Sequence, residues 1–83
     1  MSLSGDARRW RVLDRMKYTR EREQLQARMA GLNLAILKAR KLPNAFERQF
    51  TLSSLHESFG KVHCAWATAK AREQAAKHDL GEA

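Results

Sequence analysis

Few residues in this chain are equipped for chemistry: three histidines, one cysteine and a run of arginines near the start. His56 and His63 stand seven apart, with Cys64 next to the second. Imidazole and thiolate are common zinc ligands, and a tetrahedral site needs about four ligands converging on one point. On a helix, neighbouring residues differ by about 100° in direction, so Cys64 is turned from the flank that carries His56 and His63. No zinc-type ligand spacing accompanies them. A metal shared across a symmetric dimer is one reading. The plainer one is a polar flank, continued by Lys70 and Lys77, whose charge grows as pH falls toward about 6.5. Cys64 then reads as a spare thiol, and no metal or cofactor is expected.

Catalytic signatures are not found. The chain has no Gly-rich phosphate loop, no Gly-x-Ser-x-Gly elbow and no His-Glu-x-x-His helix. A small helical protein also offers little room for a deep, dry cleft. The expectation is a protein that is not an enzyme.

The arginines carry the strongest compositional signal. Arg8, Arg9, Arg11, Arg15, Lys17, Arg20 and Arg22 face only Asp14 and Glu21, net +5 over fifteen residues. The net charge of +7 lies wholly in residues 1–41, and residues 42–83 are neutral. Such asymmetry points to an anionic partner: an acidic protein face, nucleic acid or an anionic membrane surface. In a solvated reading, the stretch is laced by pairs such as Asp14 with Tyr18 or Arg11, and Glu21 with Lys17. As a nucleic-acid surface it would track phosphates, with affinity falling steeply in salt. With Val12 and the anchors Trp10, Leu13 and Met16 it would suit an anionic membrane or a protein partner. Trp10 has a second reading, packing on the alanines and Leu80 near the far end of the chain.

Positioning these groups falls to two helices. Leu52, Leu55, Phe59, Val62, Trp66, Ala69, Ala76 and Leu80 follow a 3-4 spacing interrupted only by Glu73. That is the seam of a helix packed along its length on another. From Asp6 to Leu42 there is no proline and one glycine, Gly31. Within that span Leu25, Met29, Leu32, Ile36 and Ala39 form one seam, and Ala27, Ala30, Leu34 and Leu37 a second. Two seams on one helix call for two neighbours. Leu42-Pro43-Asn44 breaks the chain, since proline disfavours helix at the residue before it. Asn44 with Glu47 three residues on has the form of a capping box.

The fold expected is all-α: an antiparallel, coiled-coil-like two-helix hairpin that dimerises into a four-helix bundle. Helix 1 is placed at about 6–42 and helix 2 at about 45–78, in one domain of residues 6–80 between flexible ends 1–5 and 81–83. Ser4 or Asp6 would cap helix 1, and Gly81 would end helix 2. Thr51, Ser53 and Ser54 leave open a break after Phe46 and Phe50, although an unbroken helix is the simpler course. The core is expected at Leu25, Met29, Leu32, Ile36, Leu52, Leu55, Phe59, Val62 and Trp66. No run of roughly 18 apolar residues spans a membrane, no cleaved signal is expected and one cysteine makes no internal disulfide, so a reducing, cytoplasmic setting is expected. The functional expectation is a non-catalytic adaptor, co-chaperone or regulator, homodimeric, with a protein partner. The alternative is a basic regulator that binds RNA or DNA.

Overall fold

In a computed structural model of the protein, which describes residues 5–81, two helices of 35 residues lie side by side. They are α1 (Gly5–Ala39) and α2 (Ala45–Asp79). Ion pairs from Arg11 to Asp79 and from Arg22 to Glu73 fix them as antiparallel. The result is a rod of 62 × 18 × 14 Å, a helical hairpin with no strand among the described residues.

The turn follows from its residues. α1 stops at Ala39, three residues before position 42. Lys41 N–H donates to the Lys38 carbonyl and Leu42 N–H to that of Ala39, each at 3.1 Å. These i→i−3 bonds tighten the last turn, and Pro43 then forbids its continuation. The Leu42 carbonyl accepts from Arg48 Nη1 at 3.0 Å, which ties the loop to the first turns of α2. Asn44 is extended, and its Oδ1 accepts from Glu47 N–H at 3.0 Å, the cap that starts α2. α2 passes through Thr51, Ser53 and Ser54 without a break. Beyond its end Gly81 has φ +76°, a left-handed conformation that glycine adopts without a Cβ clash. At the other terminus Asp6 lies inside the first turn of α1, and Ser4 is outside the described residues.

The core is thin. Ile36, Ala39, Val62, Ala69, Ala76 and Leu80 are buried. Leu25, Met29, Leu32, Leu52, Leu55, Phe59 and Trp66 line the same interface half-buried. Two cylinders touch along one line, so each seam side chain is covered on one side and meets water on the other. No large side chain is fully enclosed among the described residues. Leu34 and Leu37 of the second seam stand 60% and 52% exposed. Their spacing from Ile36 puts them on the side of α1 turned away from α2.

Candidate interaction surfaces

The face of α1 turned from α2 carries most of the uncovered apolar surface. Leu13 and Met16 are each 49% exposed and Trp10 68%, so the three anchors read from the sequence are all accessible. At that exposure Trp10 is not buried against the alanines and Leu80. Its neighbour Arg11 is the residue aimed at α2, reaching Asp79 at 3.3 Å, and one helical step turns Trp10 off that face. Phe46 and Phe50 form a separate exposed pair at the closed end, with ring centroids 6.5 Å apart.

The basic stretch divides in two. Arg8, Arg9, Lys17 and Arg20 are exposed, and the Lys17 ammonium sits 6.0 Å from the Tyr18 ring centroid. Arg15 is half-buried, and Arg11 is committed to Asp79. Arg22 does not belong to an outward patch at all. Its Nε donates to both carboxylate oxygens of Glu73, at 3.1 and 3.0 Å, and its Nη1 donates to Gln26 at 3.1 Å. The reason is register: counting back from Leu25 by three and four gives Arg22, Tyr18 and Arg15, the same seam continued with polar residues.

Glu73 is the most deeply covered polar residue described, at 2% exposure, although its type reads as a break in the α2 seam. Burial pushes its carboxyl up. Thr19, Arg22 and Lys77 push it down, and the net effect holds it below the ordinary value. Lys77 approaches to 3.6 Å one turn along α2. The Thr19 hydroxyl lies beside the carboxylate without a well-formed hydrogen bond to it. In a rod two helices thick the cover over Glu73 is a single layer of side chains, so desolvation costs less than in a globular interior. The Arg22–Glu73 pair was readable only by continuing both seams through their charged members.

Among the described residues no group of three potential ligands converges. His63 lies instead between the Phe59 and Trp66 rings, at 6.2 and 5.6 Å, and Lys70 caps Trp66 at 5.0 Å. Cys64 is free and exposed. A groove of about 410 Å³ between the helices, lined by Leu25, Arg28, Ala65, Ala69 and Arg72 among others, is open to solvent. No described helix is long and apolar enough to cross a membrane.

Comparison with known proteins adds no relative: no family model matches, and neither a curated protein nor a solved structure is similar to the chain.

Proposed function

We propose that the protein is a non-catalytic helical interaction module, an adaptor, co-chaperone or regulator. It assembles into a dimer through the outer side of α1, which sets four helices in a row instead of around the common core of a bundle, and offers Trp10, Leu13 and Met16 to protein contacts. One observation carries this reading. Large apolar residues are spaced along the outer side of α1 and remain about half exposed, in a hairpin that fully encloses no large side chain among the described residues. Helices use such faces to dock on other helices. The free thiol of Cys64 suits a reducing, cytoplasmic setting.

The test is mass and stability together. The wild-type chain of 9.5 kDa is expected to sediment as a dimer, with a melting temperature that rises with concentration. Leu34→Glu is expected to give a folded monomer. A wild-type monomer whose melting ignores concentration would remove the assembly reading.

A second reading rests on the exposed cations Arg8, Arg9, Lys17 and Arg20, which suit phosphate contacts with RNA or DNA. Two members of the original stretch, Arg11 and Arg22, are occupied by carboxylates, which weakens it. Titration against short duplexes at about 50 and 200 mM salt separates the two readings. A fall in affinity of several orders of magnitude marks many phosphate contacts, and absence of binding at the lower salt ends this alternative.

A further inference from the structure

α1 carries a second row as regular as its inner seam. It runs Leu13 and Met16, then Arg20 and Glu23, then Ala27 and Ala30, then Leu34 and Leu37. Each step is three or four residues, so the whole row stays on the side away from α2 as a supercoiled seam would. Its large apolar members are about half exposed.

The order within the row identifies what covers it. Large apolar pairs lie at both ends, and in the middle a charged pair is followed by a small pair. Turned end for end about the level of Leu25, the row fits itself. Leu13 meets the partner's Leu37, Met16 meets the partner's Leu34, Arg20 meets the partner's Ala30, and Glu23 meets the partner's Ala27. Each charged side chain then lies over an alanine, with room for its stem to pack and its head to reach water. A parallel pairing would set Arg20 on Arg20 and Glu23 on Glu23, which repel, and alanine on alanine, which leaves a gap. Trp10 and Lys38 share one flank of this row, four heptads apart. The two-fold brings Trp10 within about one helical turn of the partner's Lys38, a cation–π distance in reach. The basic ends do not choose between the arrangements: Arg9 meets the partner's Lys41 in one and itself in the other.

We infer that the outer row of α1 is the contact with a second copy of this chain, antiparallel, with the two-fold axis at the level of Leu25 on the opposite side of α1. The inference rests on the proposed reading of this face as an interface and adds its occupant's orientation and register. From Leu13 to Leu37 the row is about 36 Å long. Two such strips, each about a helix wide, reach the order of 1,000 Å² at which specific interfaces begin.

Crosslinking in a Cys64→Ser background tests it. Gln24 flanks the two-fold, so Gln24→Cys is expected to link to its own copy through a short bis-maleimide. Leu34→Cys is expected not to, because its mates stand about 27 Å apart along the axis, but it should link to Met16→Cys when the two variants are mixed. Gln24, Met16 and Leu34 are all exposed, and circular dichroism checks that each variant is helical. Leu34→Cys linking to itself would establish a parallel dimer and overturn the proposal. A species of dimeric mass with none of the expected links would overturn it while leaving the interaction module intact, with its interface elsewhere. A wild-type monomer at all concentrations would overturn both.

Discussion

The two halves of the hairpin share one backbone geometry and one seam, yet are held by different forces. Toward the turn, Leu25 to Ala39 meets Leu52 to Ala69, and the contact is apolar. Toward the open end the same positions hold Arg15, Tyr18 and Arg22 against Glu73, Ala76 and Leu80, with Arg11 reaching Asp79 and Arg72 placed 5.9 Å from the Tyr18 ring. Burial in the closed half drives folding, being non-directional and proportional to area. Charge pairing in the open half adds little net energy but is specific, since a misplaced partner leaves a covered charge alone. Sliding α2 by one heptad would set Glu73 against Met29, or Arg22 against Trp66. The closed half therefore supplies stability, and the open half supplies register.

Substitutions can break that division. The largest effect is expected in the closed half: Ile36→Asp or Val62→Asp, each at a site 6% exposed, should cost at least about 3 kcal/mol and abolish the helical circular dichroism signal. Next comes the boundary between the halves. Glu73→Ala leaves the Arg22 Nε without its acceptor, while Nη1 keeps Gln26, and the thermal melt should report a loss of about 1–3 kcal/mol. Replacing both partners, Arg22→Leu with Glu73→Leu, should be neutral or stabilising by up to about 4 kcal/mol. If register is what the pair provides, sedimentation of that double variant should show more than one oligomer.

The pair also sets an acid response. Because the folded Glu73 carboxyl titrates below its ordinary value of 4.5, its contribution is complete above that pH. It is lost as pH falls from there through the lowered folded value. Glu73→Gln should flatten that part of a plot of melting temperature against pH, and an unchanged slope would assign the acid loss to other carboxylates. The smallest effect is expected at the tip of the open half. Arg11→Ala breaks a pair whose side chains are 50% and 44% exposed, worth less than about 1 kcal/mol, and should leave the melt almost unmoved.

Much of the fold could be read from residue types. Pro43 and Asn44 mark the turn by mechanisms confined to a few neighbouring residues, and the 3-4 rows mark the helices. What escaped reading depended on side chains far apart in sequence. Glu73 reads as a flaw in its row until Arg22 is found opposite, and Arg22 reads as part of a cationic surface until Glu73 is found. Trp10 has two neighbours of opposite character, Arg11 facing inward and Leu13 facing out, and only the phase of the helix decides which it follows. The end of α1 differs from the sequence reading because i→i−3 bonds close the last turn before Pro43 is reached, a choice the flanking residues leave open.

The antiparallel layout has a mechanical consequence. A chain that enters at Gly5 and leaves at Gly81 is gripped at one end of the rod, so tension between those points peels the helices apart one rung at a time. The mixed rungs, where charged pairs alternate with Ala76 and Leu80, come first, and the wholly apolar ones arrest the tear. A force–extension trace taken across those points should show an early, low-force lengthening that reverses on relaxation, followed by a separate rupture. Glu73→Ala should shorten the load needed for the first event and leave the second where it was.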